Sequence, residues 1–252
     1  TNEVIKRAIE DGEPEGLAIR AYRQTGGYGR QAVHGTRPPW WHVRVDSSAP
    51  RGRDARASTL ALVVALAVRR ALASLVVDDQ ARRICIKWPN DVVLVGGTLP
   101  QTNAPSIKNL YSKLAGISSE VHAGGICVGI GVNVEPPEGA MEVDGKNAPA
   151  YLADLGFGFT CEREAAINAV GDAVLHEFEP LYRRWCDGGF AALSGEFAEH
   201  SMLEGRFVRM ANQLGEVVCE GTVRGVDASG RLILRLEDGE AKAVASGEVH
   251  LL

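Results

Sequence analysis

A cation, an amide and a carboxylate stand close together in the segment KWPND, residues 87–91. The β-branched runs on either side of this segment predict two strands. Proline followed by Asn-Asp is typical of the turn between such strands, because Pro fixes φ and Asx side chains bond to nearby backbone. A turn accounts for Pro89, Asn90 and Asp91 but gives no reason for Lys87 and Trp88. The segment is therefore a candidate for chemistry.

A glycine-rich stretch, QTGGYGR at residues 24–30, ends in Arg30. Glycines let a backbone approach a ligand closely, and a guanidinium can bind a phosphate or carboxylate through two parallel hydrogen bonds. The alternative is a surface loop with a solvated arginine. Taken by itself, this stretch favours the surface loop.

Two glycines share one face of the strand predicted at VGIGVNV, residues 128–134, and Asn133 shares that face with them. Glycines two residues apart weaken a strand, so they are explained either by a flat group lying on that face or by tight packing under a helix. Lys113 opens another predicted strand, KLAGISSEV. It is either a solvated charge at a strand edge or, beside the glycines, a cation for an anionic ligand.

The elements that must position these residues alternate between helices and strands. Helices are predicted at 2–11, at 161–185 and from an N-cap at Ser58 through an apolar run to residue 77, and strands at 16–23, 40–45, 83–95, 113–121 and 124–134. After residue 203 the sequence predicts short alternating strands, separated by the turn segments NQLGE, DASG, EDGE and SGE. The sequence therefore predicts an α+β domain over 1–202 and a small β-barrel over 203–252.

Composition excludes several classes of function. The chain has 252 residues and a net charge of −5, so no basic field argues for a nucleic-acid partner or an anionic membrane. No apolar run reaches the ~18 residues of a spanning helix. The cysteines are odd in number, widely spaced and without a C-x-x-C pair, which favours a reducing cytoplasm and neither a disulfide framework nor a zinc site. No metal ligand set is expected from the protein.

Taken in order, the glycine loop with Arg30, KWPND, KLAGI and GIGVN resemble the biotin protein ligase family. Thr1-Asn2 resembles the end of that family's Ser-Thr-Asn motif, and the C-terminal segment is similar to its SH3-like domain. The resemblance covers essentially the whole chain and implies a central mixed sheet flanked by helices, as in class II synthetases. The DNA-binding domain of some members is not expected here.

The resemblance implies a two-step reaction. Biotin and ATP form biotinyl-5′-AMP and pyrophosphate, with Mg²⁺ on the phosphates. The biotinyl group then passes to a lysine on the biotin carboxyl carrier domain of a biotin-dependent carboxylase. Both steps are typical of an adenylate-forming C–N ligase. Some members of the family form homodimers through the central sheet, which the sequence leaves open.

The resemblance also assigns residues to roles. Lys113 and Arg30 neutralise the biotin carboxylate and the α-phosphate, and Asp91 orients the lysine or the metal, or takes the proton of the acceptor amine. Lys87 and Trp88 shape the floor of the site. The biotin-binding set is Thr1, Asn2, Gln24, Gly27, Tyr28, Gly116, Gly129 and Gly131, and the nucleotide-binding set is Lys87, Trp88, Asn90 and Asn133.

One segment departs from the family pattern, G-R-G-R-R/H-G-R-x-W. Tyr28 stands at the first arginine, Gln31 and Val33 replace basic residues, and Gly35 replaces the tryptophan. Each missing charge-assisted hydrogen bond removes about 1.5–3 kcal/mol. Three hypotheses follow: an active biotin ligase with a divergent loop, a protein that binds biotin or another acyl ligand without holding an adenylate, and a relative of the lipoate-attaching enzymes. KWPND favours biotin over lipoate.

Overall fold

The structure is a computed structural model that describes residues 2–21, 40–46, 53–96, 110–136, 149–158, 162–212 and 214–252, with backbone alone at 40–46 and 53–57. Its first part contains α1 (Asn2–Glu10), β1 (Ala18–Ala21), β2 (Trp40–Asp46), α2 (Arg53–Ser74), α3 (Asp78–Ala81), β3 (Ile84–Lys87), β4 (Asp91–Val95), β5 (Tyr111–His122) and β6 (Gly125–Val132). The predicted helices and strands of this region are present. The helix predicted to begin after Ser58 begins earlier, at Arg53, because the residues before Ser58 include good helix formers.

The strands of this part form one sheet in the order β1-β2-β6-β5-β4-β3. All pairs of these strands are antiparallel. In the described chain, parallel pairing is limited to two isolated bridges, Ile86 with Ser201 and Lys113 with Pro149. The parallel component of the predicted mixed sheet is therefore restricted to these bridges.

One face of this sheet is covered by two long helices, α2 and α4 (Arg163–Gly188). Helix α2 is apolar almost all round, as expected for a helix inside a protein, and its residues from Leu60 to Leu72 are mostly buried. Alternate residues of β6, among them Val128 and Ile130, point into the same core. The residues between them, Gly129 and Gly131, therefore belong to the opposite face.

The opposite face is covered at one end by α1. Ile5 and Ile9 of α1 pack against Cys127 and Ile19 in a small separate apolar cluster. A methyl group added at Gly125 would lie 2.9 Å from Ile9 Cγ2, which shows how closely the helix approaches β6. Helix α1 therefore covers the part of this face that lies next to the β5–β6 turn.

A second sheet follows two short 3₁₀ helices and α5 (Ser194–Glu199). Its strands are β7 (Phe207–Ala211), β8 (Val217–Val226), β9 (Leu232–Arg235), β10 (Ala241–Val244) and β11 (Glu248–Leu251), in the order β10-β9-β8-β7-β11. We call it the C-terminal sheet. The predicted turns fall between these strands, and the α+β fold class with a C-terminal SH3-like unit is confirmed. The boundary between residues 202 and 203 stays a prediction.

The two sheets share one hydrophobic core. Val208, Leu232 and Leu234 of the C-terminal sheet belong to the same buried cluster as α2 and α4. The chain leading into β7 also adds to the first sheet, since Ile86 N donates to His200 O at 2.8 Å and Met202 N donates to Ile86 O at 2.9 Å. These hydrogen bonds place the chain that leads into the C-terminal sheet beside β3, the strand that precedes the KWPND turn. Among the described residues no helix combines the length and apolar character needed to cross a membrane.

Candidate active site

The KWPND segment forms the predicted turn between β3 and β4. Lys87 and Asp91 lie opposite each other at the ends of the two strands, and the Trp88–Pro89 peptide is cis. Asp91 also lies opposite Gly116 of β5 on its other side. Cross-strand partners share a face of a sheet, so Lys87, Asp91 and Gly116 share one face.

A β-bulge in β5 brings Lys113 to the same face. In a regular strand Lys113 and Gly116, three residues apart, would point to opposite faces. The pairing with β4 shifts between Val92 and Val93, so that Lys113 lies opposite Val93 while Ala115 lies opposite Val92. The extra residue is Leu114, which is fully buried. A bulge re-aims the side chain beside it, and here it turns Lys113 toward Asp91.

Lys113 and Asp91 form the central pair of the site. Lys113 Nζ lies 2.6 Å from Asp91 Oδ1, with 38% of the lysine side chain and 20% of the aspartate side chain exposed. The contact has the distance of an ion pair, and among the described residues buried Asp91 Oδ1 has no further hydrogen-bond partner. The ammonium is accessible from the surface, and the carboxylate oxygen lies beneath it.

Gly116 makes room for this pair. A methyl group at Gly116 would lie 2.8 Å from both Cε and Nζ of Lys113, and 3.7 Å from Asp91 Oδ1. The first two distances are too short for real contacts, so the lysine lies across Gly116 only because that residue has no side chain. The sequence predicted Gly116 as part of a wall against biotin, and the structure brings it directly under the lysine.

The glycine positions continue from Gly116 onto β6. Gly116 lies opposite Gly131, and Ser118 lies opposite Gly129. Because neighbouring strands are about 4.8 Å apart and alternate residues about 7 Å apart, these positions form a patch of sheet surface with almost no side chains. Gly129 and Gly131 are buried, and glycines at such positions let either neighbouring protein groups or a flat ligand lie close against backbone.

Two asparagines hold β5 at either end of the KLAGI segment. Asn133 Nδ2 donates to Lys113 O at 2.8 Å, and Asn90 Nδ2 donates to Ile117 O at 2.7 Å. Backbone contacts reinforce both, since Ala150 N donates to Lys113 O at 2.9 Å and Ile117 N donates to Asn90 O at 2.9 Å. The sequence predicted both asparagines as nucleotide contacts. The structure uses their amide nitrogens to fix the bulged strand.

Lys87 supplies a second cation beside the pair. Burial lowers the pKa of Lys87, while the nearby carboxylates Asp91 and Glu248 act in the opposite direction. Its ammonium also lies 5.4 Å from the centre of the Tyr111 ring, within the range of a cation–π contact. Lys87 is therefore a half-buried cation on the same face as Asp91.

Trp88 and Asn2 lie at the borders of this arrangement. The Trp88 side chain is 1% exposed and belongs to the hydrophobic core, and its predicted contact with a nucleotide stays a prediction. Asn2 begins α1, and its Oδ1 accepts from Cys127 Sγ at 2.8 Å, two residues before Gly129 on the same face. The remaining predicted site residues, Thr1, Gln24, Gly27, Tyr28 and Arg30, lie outside the described residues.

Sequence reasoning missed three features of the site. The bulge had a signal, because two adjacent apolar residues between Lys113 and Gly116 break the strand period of two. Tyr111 beside Lys87 had none, because it follows a long polar segment whose position the sequence did not predict. The third is the contact of Trp88 with the C-terminal sheet, which depends on residues far away in the chain.

We expect Asn133→Ala to lower the rate of the reaction at Lys113 about tenfold, since one hydrogen bond to the bulge is lost and each ~1.4 kcal/mol in the barrier is a factor of ten. The measurement is single-turnover kinetics together with ATP titration. A positioning role leaves the Kd for ATP unchanged, whereas a direct nucleotide contact raises it. Asn212→Ala is the control, because Asn212 Nδ2 likewise donates to a partner, Glu216, but in a turn of the C-terminal sheet.

Comparison with known proteins identifies the class to which this fold and site belong. Residues 1–136 match the family model described as "Biotin/lipoate A/B protein ligase family", and residues 205–252 match the model "Biotin protein ligase C terminal domain". Among solved structures, the biotin protein ligase from Aquifex aeolicus in complex with biotin and ATP superimposes with a TM-score of 0.70 at 22% identity, covering 98% of this chain and 93% of the other.

Two curated relatives extend the likeness over nearly the whole sequence. The biotin–[acetyl-CoA-carboxylase] ligase of Mycobacterium tuberculosis is 27% identical over 99% of this chain and 84% of its own length. The enzyme of the same name from Paracoccus denitrificans is 27% identical over 86% of this chain and 83% of its own length. The chain belongs to the biotin/lipoate A/B protein ligase family, and the resemblance to biotin protein ligases is confirmed.

Proposed function

We propose that this protein is an ATP-dependent biotin protein ligase. It forms biotinyl-5′-AMP and transfers the biotinyl group to a lysine on the carrier domain of a biotin-dependent carboxylase. The observation that carries the proposal is the Lys113–Asp91 pair, 2.6 Å apart, at the end of the glycine-lined patch. Family membership and the names of the two relatives support the same reaction.

The first step requires a cation between two anions. A carboxylate oxygen of biotin attacks the α-phosphorus of ATP, a P–O bond forms, and the bond to pyrophosphate breaks. Carboxylate and phosphate repel each other until positive charge neutralises them. Lys113 supplies this charge from a position fixed by the bulge, Asn133 and Asp91, and Lys87 adds a second charge on the same face.

The second step requires a neutral amine. The acceptor lysine of the carrier attacks the acyl carbon, an amide C–N bond forms, and the C–O bond to AMP breaks. The amine must lose a proton to react. The Asp91 carboxylate, whose side chain is 20% exposed, is the group that we assign to this proton.

We expect Mg²⁺ to be held at the site mainly by the phosphates of ATP and not by a set of protein ligands. No group of three or more His, Cys, Asp or Glu side chains able to hold a metal is present among the described residues. The Asp91 carboxylate, whose side chain is 20% exposed, would offer one anionic ligand, and Mg²⁺ at nucleotide sites usually keeps several waters and phosphate oxygens as ligands. When bound, the ion would neutralise phosphate charge.

A second candidate function is binding of biotin or another acyl ligand without turnover. Tyr28, Gln31, Val33 and Gly35 favour it, because basic residues and a tryptophan of the family loop are missing there. Calorimetric titration with biotin, and then with biotin plus Mg-ATP, separates the two functions. A ligase binds far more tightly when ATP is present and releases pyrophosphate. Binding unchanged by ATP would establish the second function.

We expect Arg30→Ala to raise the Kd for biotinyl-AMP by about tenfold or more and the Kd for biotin much less, because a guanidinium–phosphate bond contributes about 1.5–3 kcal/mol. Its role rests on the family resemblance. Titration with each ligand measures the two constants. Equal effects on both ligands would refute the phosphate role.

The partner and the location belong to the same proposal. A carrier domain presents a lysine, and the partly exposed Lys113 and Asp91 leave the reacting centre open to such a macromolecular substrate. The expected cytoplasmic location, the expectation of no nucleic-acid or membrane partner, and the question of a homodimer stay predictions from the sequence.

A further inference from the structure

Trp88 is the one buried residue of KWPND. It is 1% exposed, and its Nε1 donates to Gly230 O at 2.9 Å. Gly230 lies in the turn between β8 and β9, so this hydrogen bond joins the active-site turn to the C-terminal sheet. The two residues are 142 positions apart in the chain.

The turn that receives this hydrogen bond is held in place on both sides. Asp227 Oδ1 accepts from Ser229 N and from Arg231 N, each at 2.9 Å, which fixes the turn backbone. Gly230 has a φ of +80°, and a methyl group there would lie 3.0 Å from Thr59 Cγ2 of α2. The Gly230 carbonyl is therefore a fixed point between α2 and Trp88.

The hydrogen bond lies a short way along the chain from the reacting groups. Trp88 follows Lys87 directly, and Asp91 comes three residues later with its contact to Lys113. The C-terminal sheet also affects the charge environment of this turn. Burial lowers the pKa of Lys87, and Glu248 at the start of β11 acts in the opposite direction by a smaller amount. A shift of the sheet would therefore change both the position and the charge environment of the turn.

We infer that Trp88 is a positioning residue, whose hydrogen bond to Gly230 lets the C-terminal sheet set the placement of Asp91 and Lys87 in the active site. The inference rests on the proposed ligase function for its kinetic consequence. Its structural consequence is independent of that function. The C-terminal sheet is then part of the catalytic unit during adenylate formation, before any carrier protein binds.

The chain offers a matched pair of variants for the test. Trp88→Phe keeps an aromatic ring and removes the N–H donor. Trp185→Phe makes the same change in α4, where Trp185 is 2% exposed and its Nε1 donates to Thr59 Oγ1 at 2.9 Å. Both variants lose one buried indole hydrogen bond from one continuous core, but α4 carries no residue of the candidate site. Trp185 bonds the hydroxyl of Thr59, whereas the Gly230 turn lies against its methyl group, so the Trp88–Gly230 hydrogen bond itself stays in place in Trp185→Phe.

Adenylation kinetics are measured for both variants at a temperature where circular dichroism shows each to be folded. We expect Trp88→Phe to lower kcat about tenfold with the KM for biotin within about twofold of the parent, since a misplaced catalytic group costs rate more than binding. Trp185→Phe should keep the parent kcat. Parent kcat in Trp88→Phe, or equal losses in both variants, would overturn the inference.

Hydrogen exchange provides a readout that does not depend on turnover. We expect the amides of β4 and of residues 113–117 to exchange at least about tenfold faster in Trp88→Phe than in Trp185→Phe, because local opening follows the loss of the local support. If the parent forms no adenylate, the ligase proposal fails, and exchange still decides on Trp88. Equal exchange in the two variants would refute its positioning role.

Discussion

Lys113→Ala should lower the rate of biotinyl-adenylate formation on the order of 10²–10³-fold while leaving the fold intact. The ammonium is the accessible member of the Lys113–Asp91 pair, and the bulge in β5 directs it over the glycine-lined patch. Loss of one preorganised charge or donor at a developing charge typically lowers kcat on the order of 10²–10³-fold. Pyrophosphate release with saturating biotin and ATP measures this loss.

The same substitution should change stability little. The lysine side chain is 38% exposed, so its truncation opens no cavity, and a partly exposed ion pair contributes about 1 kcal/mol or less. Lys87, whose charge also acts on Asp91, remains in place. Arg209→Ala is the control, because it removes a cation paired with a carboxylate, Glu220, in the C-terminal sheet. Adenylation at the parental rate in Lys113→Ala would refute the assignment of the site.

Gly116→Ala should lower the adenylation rate about 100-fold, the effect expected when a catalytic group moves by about 1 Å. The added methyl group would lie 2.8 Å from Cε and Nζ of Lys113. These atoms end a flexible side chain, so the lysine yields and leaves Asp91, whereas the strand does not. We therefore expect an unchanged melting temperature together with a large loss of kcat.

Substitutions at two other glycines serve as controls. They distinguish displacement of Lys113 from the general effect of adding a methyl group to a glycine. Gly195 in α5 has no atom near its added methyl group, and Gly195→Ala should keep the parent rate. Gly221 of β8 would place the methyl group 2.6 Å from the carbonyl oxygen of Arg235, a backbone atom, so Gly221→Ala should lower the melting temperature instead. A loss of stability without loss of rate in Gly116→Ala would contradict the role of Gly116 in making room for Lys113.

Biotin titration of Gly116→Ala distinguishes two roles for this glycine. If Gly116 serves Lys113, the Kd for biotin changes little and kcat falls. If Gly116 is part of a wall against the biotin ring, as the resemblance implies, the Kd for biotin rises along with any change in kcat. The short distances to the lysine favour the first result.

Local patterns in the sequence determined most of the elements of the fold. The apolar period of α1, the run of α2, the Pro-Asn-Asp turn at KWPND and the spaced turns after residue 203 all act within a few residues, so they can be recognised without the fold. The motifs also indicated which residue types take part, and the structure brings Lys87, Asp91, Lys113, Gly116, Gly129 and Gly131 to one face of the sheet.

The tertiary structure alone decided what several of these residues do. A regular strand would direct Lys113 and Gly116 to opposite faces, and the bulge becomes visible only once β5 is paired with β4. Trp88 was predicted at the floor of the site, yet its indole binds Gly230 in the other sheet. Strand register and contacts between distant segments arise from pairing and core packing, which act on residues far apart in the chain. The sequence by itself therefore determined the chemistry available to this protein, and only the folded chain decided which groups meet.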